Sequence, residues 1–374
     1  MAVVQVAVFE AVNATTGKYS PYYGVTAASG ASSEAAAVTA AHGVLKWLFP
    51  AAAGTLDARL ANSLAAIPDG QAKDDGIAAG QAAASATIAD RTGDGSGPPP
   101  AGLYTPTSTA PYEWQPTGGC PAGNTAGVFF NWQNVKPFGI ESSTQFLADP
   151  PPELGSPRYR RDYNEVQEVG SATSTSRPQD RTDAARLYAA LPPHIGWNSV
   201  ARQLAAANDD EITRTARVLA LMNMSISDAH VTTFETKYLY RTWRPITAIR
   251  RGAEDGDDKT NPDPAWTPLI TNPCFPGYTS AHGGGAGAAA RVLTRAYGDD
   301  GHTITTSHPG APGIVFVNDS IGDIVDDISD ARVYGGIHFR VDQTASERLG
   351  KDVAKYNSKN YFRPVDSTDF DSED

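Results

Sequence analysis

The chain has 374 residues and a formal charge of −12, with 42 acidic and 30 basic side chains. This length suffices for one large domain or two packed ones. The acidic balance, with no basic stripe, argues against a nucleic-acid partner. No segment reaches the ~20 continuous apolar residues of a membrane-spanning helix, so we expect a soluble chain whose positive charge is concentrated locally.

The first 91 residues are predicted to be helical. Val3, Val6 and Ala11 follow helical spacing from the start, without a basic region ahead of them. We interpret this as a sign that an upstream segment precedes the chain, either an export signal or a first helix, and an exported location would follow from the former. Residues 31–91 are rich in alanine and predict three helices, with a break at Pro50.

Residues 92–178 predict a long loop or cap. The segment is rich in glycine, proline, serine and threonine, but it also carries aromatic residues that need packing partners. The two cysteines are Cys120, in this segment, and Cys274. Their number fits either one disulfide in an oxidising compartment or two buried thiols.

Residues 179–360 predict further helices, followed by an acidic tail at 361–374. The strongest periodicity runs from residue 211 to about 243, and two more helical segments are predicted over 283–297 and 320–355. We predict an all-α fold, a helical bundle with a long Pro/Gly-rich cap in one large domain.

Two short polar clusters lie along this half of the chain. Lys237 and Arg244 are seven residues apart, so a continuous helix would place both cations on one side, although a basic helix end has the same pattern. Residues 279–282 combine a hydroxyl, turn amides and a histidine ahead of a glycine run that opens a helix. This arrangement suits an anion, but also a serine N-cap with a surface histidine.

A third cluster contains Arg332, His338 and Asp342. The four-residue spacing lets the carboxylate contact the imidazole and fix its tautomer, as it would in a surface ion pair. Arginine and lysine donate charge-assisted hydrogen bonds to phosphate-like oxygens, each worth about 1.5–3 kcal/mol, and histidine can attack, ligate or transfer protons. Together the three clusters predict an enzyme that holds a tetrahedral oxyanion.

In this order, Lys-x6-Arg-Pro, Ser-x-His and Arg-x5-His-x3-Asp resemble the motifs of the vanadium-dependent haloperoxidases. They also resemble those of the type 2 phosphatidic acid phosphatase superfamily, which shares the fold. Similarity to the bacterial haloperoxidase-like branch extends to residues 6–13, 163–170, 180–182, 197–198 and 246–250. The resemblance implies a core of the chloroperoxidase type, built on four-helix bundles, that binds vanadate and neither haem nor flavin.

The resemblance also implies a role for each matching residue. The oxyanion oxygens would be bound by Lys237, Arg244, Arg332, Ser280 and the amide of Ala281. His338 would ligate vanadium or attack phosphorus, His282 would be the acid–base group on the opposite side, and Asp342 would orient or polarise His338. Lys237 would additionally polarise bound peroxide. The other five histidines lack ligand spacing and are interpreted as structural: His42, His194, His230, His302 and His308.

Four positions modify this pattern. The family turn is usually Pro-Ser-Gly-His, whereas Ala281 replaces the glycine here and adopts positive φ less readily. Ala331 stands where a serine usually precedes the arginine. Phe234 and Phe275 match aromatic positions of chloroperoxidase-type enzymes, so we predict a halide pocket there that favours chloride, with plain core packing as the alternative.

The leading hypothesis is a vanadate-dependent haloperoxidase that uses hydrogen peroxide, a halide and a small organic acceptor. A phosphomonoesterase that forms a phosphohistidine at His338 is the first alternative, with a phosphate ester as substrate. A non-catalytic oxyanion-binding protein is the second, although binding alone would not need both His282 and His338. The oligomeric state is left open, a homodimer being one option.

Overall fold

The structure is a computed structural model that describes residues 1–97, 102–120 and 125–365. The chain divides into two compact units. Unit 1 comprises Met1–Asp94, Ala201–Ser225 and the C-terminal residues from Lys355, and unit 2 comprises Gly95–Val200 and Ile226–Ala354. The predicted acidic tail lies outside the described residues from position 366 onward.

Unit 1 is built on helices with small apolar faces. Its N-terminal helices are α1 Ala2–Thr16, α2 Ser33–Leu48, α3 Ala53–Ala65 and α4 Gln71–Arg91, with a 3-10 turn at Pro50–Ala52. The alanine-rich faces of α1, α2 and α4 form one buried cluster. Gly76 and Gly80 let α4 approach the α2 backbone so closely that an added Cβ would meet a carbonyl oxygen at 2.4 and 2.5 Å. Alanine and glycine therefore set the tight spacing of these helices.

The remaining helices are α5 Pro157–Val169, α6 Gln179–Ala190, α7 Pro193–Ala207, α8 Ile212–Tyr240, α9 Pro245–Arg250, α10 Ala281–Tyr297, α11 Ile321–Tyr334 and α12 Arg340–Asn360. Short 3-10 helices cover Phe130–Asn134 and Gly252–Glu254. Two strands, β1 Ile304–Ser307 and β2 Val315–Asn318, pair antiparallel with Ile304 opposite Asn318.

Helix α10 is the packing centre of unit 2, and glycine makes this possible. A Cβ at Gly283 would lie 2.3 Å from Ser346 Oγ, and one at Gly284 would lie 2.7 Å from Thr233 Oγ1. A Cβ at Gly287 would lie 2.2 Å from the Glu347 carbonyl oxygen. The glycine run therefore admits α8 on one side of α10 and α12 on another, which brings the three polar clusters of the sequence together.

The all-α prediction is confirmed: the described residues contain helices and only the β1–β2 hairpin as sheet. The three helices of residues 31–91 are present, and residues 320–355 form α11 and most of α12. The loop prediction for 92–178 was too broad, because α5 lies inside it. No helix of the described part combines the length and apolarity needed to cross a bilayer. The single-domain assignment stays a prediction.

Two local predictions were resolved. The long helix ends at Tyr240, not near residue 243, because Arg241 adopts the left-handed conformation with φ 46°. Cys120 and Cys274 form a disulfide with an S–S distance of 2.00 Å. This bond ties the cap segment to the residue that precedes Phe275.

Gly350→Ala is expected to lower stability by about 1–3 kcal/mol because α12 would be pushed off α10. Its Cβ would lie 2.1 Å from the Gly284 carbonyl oxygen and 2.7 Å from Ala288 N. The matched control is Gly54→Ala in α3, where an added Cβ meets nothing within 4 Å, and we expect it to be neutral or stabilising by up to about 1 kcal/mol. Thermal unfolding measures both, and a Gly350→Ala protein as stable as the control would contradict the packing argument.

Candidate active site

The two cations of the first cluster, Lys237 and Arg244, come from different helices. Lys237 is in the last turn of α8, and its Nζ donates to the carbonyl oxygens of Pro276 and Gly277, at 2.9 Å each. Arg244 lies after the helix end and is the N-cap residue of α9, with Pro245 in the first turn. The continuous helix that would have carried both cations is therefore not formed, and a new helix begins at Pro245. The two cations converge because the chain turns back at Arg241.

Arg244 is fully buried and reaches the third cluster. Its Nε donates to the Phe275 carbonyl at 3.0 Å. Its Nη1 donates to the Ile337 carbonyl at 2.8 Å and lies 2.9 Å from His338 Nε2. Because a guanidinium only donates hydrogen bonds, His338 Nε2 must be the acceptor and carries no proton.

His338 and Asp342 form the contact that the spacing predicted. His338 Nδ1 lies 2.8 Å from Asp342 Oδ2, which also accepts the Phe339 N–H at 3.1 Å. Both side chains are buried, so this is not a surface ion pair. The carboxylate fixes the tautomer with a proton on Nδ1 and leaves the Nε2 lone pair facing the cations.

The second cluster forms the N-terminus of α10. Ser280 is its N-cap residue, and its Oγ accepts the Gly283 N–H at 3.3 Å. The Ser280 N–H donates to the main-chain oxygen of Asp342 at 3.0 Å, which ties the second cluster to the third. Ala281 lies in ordinary helical conformation, so this turn does not need glycine's positive φ. As first groups of the helix, the N–H groups of Ala281 and His282 have no intrahelical acceptor.

Arg332 and His282 meet at the main chain of α6. Arg332 Nη1 donates to the Tyr188 carbonyl at 3.3 Å, and the same carbonyl is a hydrogen-bond partner of the His282 side chain. Arg332 is 4% exposed, whereas His282 retains partial exposure. His282 therefore sits at the boundary between the buried cations and the protein surface, where protons can be exchanged.

Positive charge dominates this site. Burial lowers the pKa of Lys237 well below its usual value, and the charges of Arg244 and Arg332 lower it further, against Asp342. Burial also lowers the pKa of His338 and of His282, which the neighbouring cations lower further. Both imidazoles are therefore held neutral near pH 7.

Two arginine N–H groups of the site have no hydrogen-bond acceptor within the described residues. Arg244 Nη2 and Arg332 Nε are buried and have no hydrogen-bond partner within the described part of the chain. Asp342 is the carboxylate among the cations, and burial raises its pKa to about 7, against the lowering effect of Lys237 and Arg244. Three buried cations, unsatisfied donors and a bare Nε2 lone pair fit a tetrahedral oxyanion such as vanadate or phosphate.

Aromatic rings line the cationic cluster. Phe234 and Phe275 lie 5.4 Å apart between ring centroids, and the Phe275 ring is 4.9 Å from Lys237 Nζ and 5.1 Å from Arg244 Cζ. Phe129, from the cap segment, joins them at 5.6 Å from Phe234 and is 47% exposed. The predicted Phe pair therefore adjoins the cations.

The structure brings every predicted site residue into one connected cluster of unit 2. Sequence reasoning missed three participants: Tyr188, Phe129 and His230, whose Nε2 lies 3.1 Å from the Ala281 carbonyl. Tyr188 acts through a main-chain oxygen, which no side-chain pattern marks. His230, by contrast, precedes Lys237 by two helical turns, and that periodicity was a usable signal.

Comparisons with known proteins match the part of the chain that carries this site. Residues 217–367 match the family model described as the VCPO second helical-bundle domain, a range that contains all the predicted site residues. The vanadium chloroperoxidase of Curvularia inaequalis is 27% identical over 202 residues, which cover 45% of this chain and 32% of that protein. The match thus spans about a third of that relative's length.

Solved structures share the fold over nearly the whole chain. The crystal structure of the first bacterial vanadium-dependent iodoperoxidase has a TM-score of 0.79 at 23% identity, covering 97% of this chain and 90% of that one. A holo-type bacterial vanadium-dependent chloroperoxidase has a TM-score of 0.74 at 17% identity, covering 96% and 89%. Residues 217–367 thus match the VCPO second helical-bundle domain, and the chain has the fold of these bacterial vanadium-dependent peroxidases.

Proposed function

We propose that the protein is a vanadate-dependent haloperoxidase that oxidises a halide with hydrogen peroxide to a hypohalous-acid equivalent. One observation carries the proposal above all: Arg244 contacts the unprotonated Nε2 of His338, the charges of Lys237 and Arg332 also act on that ring, and two donors of the arginines lack acceptors. Such a cluster is stabilised by a multiply charged anion. The match of residues 217–367 to the VCPO second helical-bundle domain favours vanadate over other oxyanions.

The residues divide the work by their chemistry. Lys237, Arg244 and Arg332 bind the anion's oxygens through charge-assisted hydrogen bonds, with Ser280 and the Ala281 amide as neutral donors. His338 supplies the ligand through Nε2. Bound vanadate supplies a Lewis-acid centre that activates hydrogen peroxide toward a halide without changing its own oxidation state.

The remaining residues handle protons and the halide. His282 is neutral, partly exposed and linked to the Tyr188 carbonyl, so it can accept a proton from incoming hydrogen peroxide and return it to the product. Phe129, Phe234 and Phe275 form an apolar face on which a halide loses its hydration shell. Product leaves to react with a small organic acceptor.

A phosphomonoesterase is the second candidate because the same His338 geometry suits a nucleophile. An imidazole with Nδ1–H on Asp342 and a free Nε2 lone pair can attack phosphorus, and His282 can protonate the leaving group. The same cations and neutral donors would hold either a vanadate or a phosphoryl group, because both present negatively charged oxygens.

One paired assay separates the two functions. The purified chain is incubated with orthovanadate and tested for peroxide-dependent bromination and chlorination. In parallel it is tested without vanadate for release of phosphate from an aryl phosphate. We expect halogenation that depends on vanadate and disappears in His338→Ala. Phosphate release that vanadate abolishes, with no halogenation at any pH, would refute the haloperoxidase proposal.

Asp342→Asn is expected to reduce halogenation kcat/KM by about 10–100-fold. The asparagine amide has no negative charge with which to hold the proton on His338 Nδ1, so the ring is less firmly kept in this tautomer. Asp352→Asn, an exposed position on the same helix, is the control and should match the wild type. Steady-state kinetics at saturating vanadate measure both variants. Equal activity of Asp342→Asn and the control would remove the orienting role of this carboxylate.

Oxyanion affinity is expected to fall as pH rises. Burial and neighbouring cations lower the pKa of Lys237 in the free site, and a bound dianion raises it again, so binding takes up a proton between the two values. Tungstate, which stays a dianion from about pH 7 to about pH 9, is the probe, and its affinity should fall by at most about tenfold per pH unit once the pH exceeds the pKa of Lys237 in the free site. Isothermal titration calorimetry measures this slope. Lys237→Met should remove most of this dependence of tungstate affinity on pH. A slope equal to that of the wild type would mean that a group other than Lys237 takes up the proton.

A further inference from the structure

His230 is a histidine that the proposed mechanism does not use, yet it contacts the anion-binding turn. It lies on α8 seven residues before Lys237, and its Nε2 is 3.1 Å from the Ala281 carbonyl oxygen. A carbonyl only accepts hydrogen bonds, so Nε2 must donate and therefore carries a proton. Burial lowers the pKa of His230 to about 4, outweighing the raising effect of that hydrogen bond, while the charge of Lys237 adds to the lowering. The ring is a neutral donor in a fixed tautomer.

The facing helix leaves room for this ring. A Cβ at Gly285 would lie 3.1 Å from His230 Nε2 and 3.7 Å from its Cε1. Gly285 has ordinary helical φ, so the glycine is not needed for backbone conformation. Its missing side chain instead allows the imidazole to approach the first turn of α10 closely.

The contacted carbonyl belongs to the peptide that carries the His282 N–H. A hydrogen bond to the oxygen of a peptide restrains the plane of that peptide and strengthens its N–H as a donor. This peptide joins Ala281, whose amide is assigned to the oxyanion, to His282, the acid–base residue. The hydrogen bond from His230 to the oxygen of this peptide therefore affects the positions of both Ala281 and His282.

We propose that His230 is a positioning residue for the oxyanion site: through Nε2–H it holds the Ala281–His282 peptide so that the first turn of α10 presents its N–H groups and the His282 ring to the anion. The proposal rests on the proposed function for the location of the anion. It does not require that the anion be vanadate or that halide be oxidised.

The test compares two replacements in the full-length chain. His230→Leu removes the donor while keeping an apolar side chain, and His230→Gln restores an N–H donor near the position of Nε2. Tungstate and orthovanadate binding to the apo-protein are measured by calorimetry. We expect His230→Leu to bind roughly 3- to 10-fold more weakly, the equivalent of one net hydrogen bond, and His230→Gln to bind within about twofold of the wild type. Affinity unchanged in His230→Leu, or equally low in both variants, overturns the proposal.

A second variant keeps the test open if His230→Leu does not fold. Gly285→Ala retains the histidine but crowds its Nε2. It should raise or preserve the melting temperature, because alanine favours a helix over glycine by about 1 kcal/mol, yet weaken tungstate binding. Wild-type affinity in Gly285→Ala would count against the positioning role.

The matched control is His302→Leu. His302 Nε2 contacts the Gly298 carbonyl at the same distance, 3.1 Å, in an exposed position away from the cations. It should bind tungstate like the wild type, and a loss there equal to that of His230→Leu would overturn the proposal. Failure of the haloperoxidase function is a distinct result: tungstate binding that depends on His230 without any halide oxidation leaves the positioning role intact.

Discussion

Lys237, Arg244 and Arg332 are buried together, with the Asp342 carboxylate acting on the first two, and the rest of the site is organised by the need to tolerate that positive charge. Removing an ion from water costs several kcal/mol even after relaxation. Main-chain carbonyls offset part of this cost, at Pro276, Gly277, Phe275, Ile337 and Tyr188. Carbonyl dipoles are partial charges, however, so the cluster retains a net attraction for an anion.

The same requirement explains why irregular backbone surrounds the cations. A helix already uses its carbonyls internally, so free carbonyls must come from segments between helices. The α9–α10 connection supplies three of the five carbonyls, the α11–α12 connection supplies one, and the end of α6 supplies the other. Gly336, with φ 78°, allows the α11–α12 turn, where a Cβ would meet the Gly170 carbonyl oxygen at 2.3 Å. The helices fix where the cationic side chains lie, and the turns between them provide most of the main-chain carbonyls that accept their hydrogen bonds.

Much of this arrangement was predictable from residue patterns, and the failures have identifiable causes. Residue patterns located α2, α4 and α10 to α12, which bury one face or most of their length, and also α3, which has the apolar spacing although none of its residues is fully buried. Arg241 has no glycine-like signature, so its left-handed turn, and with it the separation of Lys237 from Arg244, was invisible. The hairpin β1–β2 is four residues per strand and too short to show a clear alternation. The Tyr188 carbonyl was beyond reach because every residue has one.

The charge of the cluster also couples the anion to the two imidazoles. In the free site, burial and the cations lower the pKa of His338 and His282. His338 benefits directly, because a neutral ring with Asp342 on Nδ1 keeps its Nε2 lone pair available. His282 differs, since an acid–base group must also hold a proton. Under the proposed function, a dianion at the cations would offset the repulsion from Arg332 and Lys237 and would raise the pKa of His282, although burial would still lower it. One set of cations would then both bind the oxyanion and ease proton uptake by its acid–base partner.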